Sequence, residues 1–194
     1  MKNFATPPAG FFSRGAEILA PALIGCLLRR KVDGEFISGI IVETEAYTED
    51  DPASHSFRGR TERNRPMFER GGLAYVYLIY GVHNCFNVTS GITGRGEAVL
   101  IRAAAPLEGI ELMCANRRTE KPEYLCSGPG RLCQAFGIDR RHNGLSLLDG
   151  EIQLLVPLHD RRPEISTTKR IGITRGADRR RRFAVKGSRW VSRS

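Results

Sequence analysis

The sequence predicts an α+β fold, in which a single domain contains a mainly antiparallel sheet with flanking helices. Strand-like apolar runs outnumber helical ones, and they are mixed without the regular strand–helix alternation of a parallel sheet. The chain has 194 residues and is 41% hydrophobic, which is enough for one core, and no linker-like segment divides it. We therefore treat 1–194 as one domain and regard the ends, 1–12 and 190–194, as candidates for disorder.

The chain begins with a helix and a strand pair. Ser13 is placed to cap a helix through 16–19, which Pro21 would break or kink. We expect a strand over 26–31, and the polar, glycine-containing stretch 32–35 predicts a turn into the next strand.

That next strand, Ile40–Tyr47, carries the first candidate functional residues. Its period-two alternation places Glu43, Glu45 and Tyr47 on one face. A carboxylate inside a sheet is disfavoured unless it is paired or used, because desolvating a charge is costly. The alternative is a pair of exposed carboxylates on an edge strand, and the pattern alone does not choose between Glu43 and Glu45.

A tyrosine-rich strand follows the irregular stretch 52–70, which we interpret as a binding loop. In this strand, Tyr75 and Tyr77 share a face, whereas Tyr80 has the opposite parity and stands beside Gly81, where a turn can begin. The chain then continues through 82–88, a glycine-rich turn and a strand over 98–102, which predicts an antiparallel hairpin.

Two helices and two strands complete the prediction. A helix opened by Pro106 should run to about Arg118, and a second should start at 127–130 and stop at Gly137. Apolar runs predict strands at 152–156 and 184–186.

Positive charge is concentrated in two places. The formal net charge is +9, and the last 34 residues, 161–194, contain 12 Lys or Arg against 2 acidic residues. A second basic cluster lies between the two key strands and consists of Arg58, Arg60, Arg63, Arg65 and Arg70. Basic clusters that flank an aromatic segment suit a polyanion such as DNA. The alternative is a solvated or disordered basic tail.

The cysteines and the lengths of the apolar runs argue against several classes of protein. Five cysteines without a Cys-x-x-Cys pair favour buried reduced thiols, and their spacing matches no usual zinc site, so we expect neither a metal nor another cofactor. No apolar run is long enough to span a membrane, and 1–12 lacks the features of a secretory signal. We expect an intracellular protein without a membrane partner.

Several motifs, taken in their order along the chain, resemble the alkyladenine (3-methyladenine) DNA glycosylase family. The similarity covers nearly the whole chain: Glu43–Tyr47, Ala53–Ser56, Arg63–Arg65 with Met67 and Phe68, Tyr75–Asn87, Leu125–Ala135, and Val185–Ser188 with Trp190–Ser192. The resemblance implies this α+β fold with a protruding β-hairpin, and a monomer that binds double-stranded DNA containing damaged purines. It further implies a DNA-associated enzyme, in the cytoplasm or nucleoid if the source is bacterial.

The resemblance also assigns roles in the site. It implies that Glu45 activates the water that cleaves the N-glycosidic bond, and that Arg102 approaches the water and the backbone of the flipped nucleotide. The resemblance implies that Tyr47 holds the base on one face, that His55 and Tyr77 hold it on the other, and that Asn87 lies at the floor of the pocket. Taken alone, each tyrosine is more typical of a core and His55 of a surface.

The implied DNA contacts centre on the hairpin. Tyr80 would fill the gap in the duplex, and the other implied contacts are Val82, His83, Arg63, Arg175 and Gly176. The chain departs from the family at Val82, where methionine is usual, and at 181–184, which replaces a more aromatic, proline-containing run.

The chemistry is plausible with one carboxylate and no metal, because an alkylated purine is already cationic and leaves easily. We find no lysine beside the pocket residues, which argues against a Schiff-base intermediate and against strand cleavage. Two alternatives remain open at this stage: a non-catalytic nucleic-acid-binding module, and an enzyme that acts on free nucleosides or nucleotides.

Overall fold

The computed structural model describes residues 3–159 and 162–192. In these ranges it contains three α-helices, α1 (Ala16–Leu23), α2 (Ile110–Arg117) and α3 (Pro129–Phe136). The strands are β1 (Phe4–Ala5), β2 (Leu27–Val32), β3 (Glu35–Tyr47), β4 (Ala74–Ile79), β5 (His83–Thr89), β6 (Ala98–Glu108), β7 (Ile152–Pro157), β8 (Ile165–Thr168) and β9 (Arg182–Val185).

The strands form one antiparallel sheet, and this confirms the predicted fold class. The order is β1-β7-β2-β3-β6-β5-β4, and β8 joins the sheet through β9. The long strand β3 has β6 along one edge, whereas its other edge pairs with β2 up to Ile40 and with β9 at Glu43–Glu45. The segment with the two glutamates is therefore enclosed on both edges, not at the edge of the sheet.

Two tight turns follow the sequence signals closely. In the predicted turn between β2 and β3, Asp33 and Gly34 both have positive φ angles, 49° and 91°. The β4–β5 hairpin turns at Tyr80 and Gly81, with φ angles of 52° and 72°. Two consecutive positive φ angles match the right-handed twist of a hairpin, which is why Gly is favoured in such turns. The parity argument for Tyr80 is correct: it lies at the hairpin tip and is 83% exposed.

The start of α1 differs from the prediction. The helix begins after Gly15 without a side-chain cap, and the Glu97 carboxylate instead accepts the Ala16 N–H at 2.7 Å. Pro21 does not end the helix, which continues to Leu23 and buries its apolar face in the core. The cap comes from a residue 81 positions away, so no local sequence signal reveals it.

The prediction that Pro106 opens a helix was wrong. Strand β6 continues through Pro106 to Glu108, and α2 starts only after Gly109, whose φ is 68°. Strand β5 pairs with β6 only over 98–100, so among the described strands none neighbours this edge of β6 near Pro106. Proline is tolerated at such an edge because no ladder hydrogen bond is lost.

The remaining elements agree with the prediction, except that the two short strands β1 and β8 were not predicted. Helix α3 begins at Pro129 and ends at the left-handed Gly137, and strands lie at both predicted C-terminal positions. Part of the 52–70 loop forms a 3-10 turn, Arg65–Phe68, which packs in a small second core with Tyr75.

Several global features bear on the sequence expectations. All five cysteines are free thiols, and four of them are buried. No helix in the described part of the chain is long and apolar enough to cross a membrane. The candidate disorder at 1–12 and 190–194 includes residues 1, 2, 193 and 194, which lie outside the described residues; within the described ends, Phe4 and Ala5 pair with β7.

Candidate active site

A cavity of about 370 Å³ opens beside the second half of β3. Eight of the twelve predicted site residues line it: Glu45, Tyr47, His55, Tyr77, Tyr80, His83, Asn87 and Arg102. The antiparallel register explains why they meet, because Glu45 of β3 and Asn87 of β5 both lie opposite Leu100 of β6. The loop 52–70 adds His55 to the wall.

Glu45 is fully buried within the protein but reaches the cavity. Its Oε1 accepts the backbone N–H of Ile171 at 2.8 Å and lies 3.3 Å from Nη1 of Arg102. Its Oε2 accepts the Tyr47 hydroxyl at 2.8 Å. These partners hold the carboxylate in one orientation, and they exclude the alternative of a solvated edge-strand glutamate.

Glu43 is equally buried but has a different environment, because it does not line the cavity. Its Oε1 accepts bonds from Nε of Arg102 at 2.9 Å, Nε of Arg182 at 2.6 Å and the Ser192 hydroxyl at 2.8 Å. Its Oε2 accepts the Ser192 N–H at 2.7 Å. Glu43 is thus enclosed by protein donors, whereas Glu45 faces the space where a ligand would bind.

Arg102 connects the two carboxylates. Its side chain is buried, with Nε on Glu43 and Nη1 near Glu45. Burial alone would lower the pKa of Arg102, but the carboxylates of Glu45 and Glu43 raise it above its usual value. Arg102 therefore stays charged and offsets part of the negative charge of the pair.

Tyr47 lies between Glu45 and a buried arginine. Burial and the neighbouring Glu45 carboxylate raise the pKa of Tyr47 well above its usual value. The hydroxyl therefore keeps its proton and donates a hydrogen bond to Glu45. The guanidinium of Arg170 lies 4.7 Å from the centre of the Tyr47 ring. Arg170 in turn forms an ion pair with Asp51, and both side chains are inaccessible to solvent.

His55 is held by two tyrosines. Its Nδ1 lies 2.7 Å from the Tyr75 hydroxyl, and its ring centre lies 4.4 Å from that of Tyr77. Loss of solvent against these rings and the nearby Arg63 cation lower the pKa of His55 to about 4. The imidazole is therefore neutral at pH 7 and offers a flat, uncharged surface.

Asn87 lies inside the cavity wall. It is buried, and its Nδ2 donates to the Tyr75 carbonyl at 3.0 Å, which fixes the side chain against β4. Asn87 therefore presents a fixed side chain to the cavity.

The predicted DNA-contact residues occupy different surroundings. Tyr80 and Val82 are 83% and 70% exposed at the hairpin tip. Arg63 is also exposed, and its guanidinium lies 5.4 Å from the Tyr77 ring centre. Arg175 is exposed, and the Gly176 carbonyl accepts a bond from Arg170 at 3.2 Å.

The C-terminal basic segment is not simply a solvated tail. Arg170, Arg181 and Arg182 turn inward and pair with acidic groups on and after β3. In the run 181–184, where the sequence departs from the family, Arg182 and Ala184 lie opposite Glu45 and Glu43 in the β9–β3 ladder. This run therefore completes the site from inside the domain.

Sequence reasoning missed several residues that position the site. They are Asp51, Arg170, Ile171, Arg182 and Ser192. Arg170 and Ile171 contact residues 119 to 126 positions earlier, and Arg182 and Ser192 contact Glu43 across 139 and 149 positions. The excess of arginine near the C-terminus was visible, but nothing local indicated which arginines are buried.

Comparisons with known proteins find a matching family and close relatives over nearly the whole chain. The model of the methylpurine-DNA glycosylase family matches residues 10–189. Curated relatives named "Putative 3-methyladenine DNA glycosylase" include one from Methanoculleus marisnigri, 51% identical over 97% of this chain and 99% of its own length. Others come from Carboxydothermus hydrogenoformans, at 43% over 96% and 98%, and Rhodopseudomonas palustris, at 48% over 94% and 88%.

Proposed function

This chain belongs to the methylpurine-DNA glycosylase family and is a DNA glycosylase, and from that premise we propose its substrates and mechanism. It flips alkylated or deaminated purines out of double-stranded DNA and hydrolyses the N-glycosidic bond, and so initiates base excision repair inside the cell. The proposed substrates are 3-methyladenine and 7-methylguanine, with hypoxanthine and ethenoadenine as further members of the class. The observation that carries the proposal is the Glu45 carboxylate, held by three donors in the wall of an aromatic cavity.

Glu45 acts as the general base. Among the described residues, its Oε2 accepts only the Tyr47 hydroxyl, which leaves an acceptor position for a water molecule. As the bond to the base breaks, positive charge builds on the deoxyribose, and the fixed Glu45 carboxylate stabilises it while taking a proton from the water. Arg102 holds the carboxylate and extends towards the nucleotide.

The aromatic walls bind the flipped base. Extrusion of a base costs a few kcal/mol, and stacking on aromatic side chains offsets about 1–3 kcal/mol per base. We assign Tyr47 to one face of the base and His55 with Tyr77 to the other. Asn87 lies at the floor and leaves too little room for the exocyclic amino group of normal guanine.

The hairpin tip replaces the missing base in the duplex. Tyr80 and Val82 are exposed apolar side chains next to the cavity, and Tyr80 also lines it. A monomer then contacts the DNA backbone through His83, Arg63, Arg175 and Gly176. The two arginines among these contacts supply affinity that does not depend on sequence.

The decisive experiment measures single-turnover release of base from duplexes that carry 7-methylguanine, 3-methyladenine or hypoxanthine, with a metal chelator present. Wild type should release the base, and Glu45→Gln should lose at least about 100-fold in rate, since general-base catalysis contributes about 10²–10⁴-fold. Glu62→Gln in the basic loop is the matched control and should behave as wild type. Borohydride should trap no covalent adduct with DNA.

Other outcomes would redirect the assignment. If wild type bound the duplex tightly but released no base, the protein would be a binding module and not a glycosylase of these lesions. Turnover of free nucleosides that is insensitive to salt would instead indicate a nucleoside enzyme. Phosphate contacts make the logarithm of DNA affinity fall with the logarithm of salt concentration, by about 0.9 per contact.

A further inference from the structure

A buried cation stands behind the aromatic ring that we assign to base stacking. The guanidinium of Arg170 lies 4.7 Å from the ring centre of Tyr47, and its side chain has no solvent-accessible surface. Tyr47 lines the cavity and Arg170 does not, so the ring separates the guanidinium from the space that a base would occupy.

The position of this cation is tightly fixed. Asp51 accepts bonds from both terminal nitrogens of Arg170, and the Ala46 and Gly176 carbonyls accept one each, at 3.1 and 3.2 Å. The Nε atom is buried without a hydrogen-bond partner among the described residues. An unpaired buried donor is costly, and the π face of Tyr47 is one of the groups that compensates the guanidinium.

We propose that Arg170 is a specificity-determining residue that acts through the Tyr47 ring and lowers the preference of the enzyme for cationic purines over neutral ones. A cation attracts the electron-rich face of a ring, so a second cation on the opposite face is bound less well. 7-Methylguanine in DNA is cationic, whereas hypoxanthine is neutral. The inference rests on the proposed stacking of the base on Tyr47.

The expected effect is moderate. Cation–π contacts correspond to about two- to thirtyfold in a binding constant, and we expect about two- to tenfold because the Asp51 carboxylate offsets part of the charge. Removing the cation should therefore shift the ratio of affinities for 7-methylguanine and hypoxanthine towards 7-methylguanine by this factor.

The test compares the variant Arg170→Met, which loses the charge but keeps a side chain of similar length, with the protein that retains Arg170. Dissociation constants are measured for duplexes with 7-methylguanine, hypoxanthine or no lesion, in a Glu45→Gln background that prevents turnover. The double variant Arg170→Met, Asp51→Asn removes both charges of the pair and serves if the single variant, in which only Arg181 among the described residues still pairs with Asp51, does not fold. The control is Arg179→Met, which removes the same charge from a partly exposed pair with Asp50 and should leave the ratio unchanged.

Two results would overturn the proposal: an unchanged ratio in a folded Arg170 variant, or an equal shift when Tyr47 is first replaced by Leu. The second result would mean that the charge does not act through the ring. Failure of the proposed function can be distinguished from failure of the Arg170 proposal, because wild type with intact Glu45 would then release neither base. If both bases are released by wild type but the ratio does not move, only the role of Arg170 fails.

Discussion

Replacing Glu43 or Glu45 by glutamine, one at a time, should produce two different defects. The two carboxylates are two residues apart on β3, both fully buried, and share Arg102. Glu43 accepts bonds from two arginines and from Ser192, whereas Glu45 faces the cavity. We therefore expect Glu43→Gln to damage stability and Glu45→Gln to damage catalysis.

The size of the stability effect follows from the Glu43 contacts. The substitution removes the negative charge that compensates Arg102 and Arg182, and breaking a buried ion pair from one side costs about 3–5 kcal/mol. It also turns an amide N–H₂ towards one of the donors, such as the Ser192 N–H. For a chain of this size, about 2–4 °C of Tm is lost per kcal/mol, so Tm should fall by roughly 6–20 °C.

The assay combines thermal unfolding with single-turnover base release at a temperature where both variants are folded. Glu45→Gln should show the smaller loss of Tm and the larger loss of rate, because water in the cavity can solvate the new amide. Glu43→Gln should keep more activity, since Arg102 retains its contact with Glu45. Complete loss of release in Glu43→Gln with an unchanged Tm would refute this division of roles.

Three further predictions concern the tip, the imidazole and the basic loop. Tyr80→Ala removes the ring that we assign to filling the gap in the duplex, so release from duplex DNA should fall. Because that ring is 83% exposed and surface substitutions rarely change stability by more than about 0.5 kcal/mol, Tm, measured in parallel, should stay within about 2 °C. The pKa of His55 is lowered from 6.5 to about 4 in the folded protein, so only the unfolded chain gains this proton between those values. Stability should therefore decrease as pH falls through this window, and a comparison of Tm at pH 7 and 4.5 should find a smaller decrease in His55→Gln; an equal decrease would contradict the lowered pKa. Arg60 is exposed in the loop 52–70, and Arg60→Ala should reduce the slope of log affinity against log salt by about one; a slope equal to that of wild type would exclude Arg60 as a phosphate contact.

Much of the site could be predicted from local sequence. Side-chain alternation predicted Glu43, Glu45 and Tyr47 on one face of β3, and parity separated Tyr77 from Tyr80. Glu45 and Tyr47 do line the cavity together, whereas Glu43 does not line it, and the β3–β6 register shifts on both sides of Glu43. The inferences succeed where the strand is regular, because the direction of a side chain there depends only on its position, and because Gly81 marks a turn with positive φ angles.

Tertiary structure alone showed that Glu45 lines the cavity and Glu43 does not, and it alone showed which C-terminal arginines are buried. Arg182 and Ser192 reach Glu43, and Ile171 reaches Glu45, across more than 120 positions of chain. The same is true of Glu97, which caps α1 where Ser13 was expected. Period and propensity describe neighbours along the chain, whereas the state of a buried charge depends on which distant donors the fold brings within hydrogen-bonding distance.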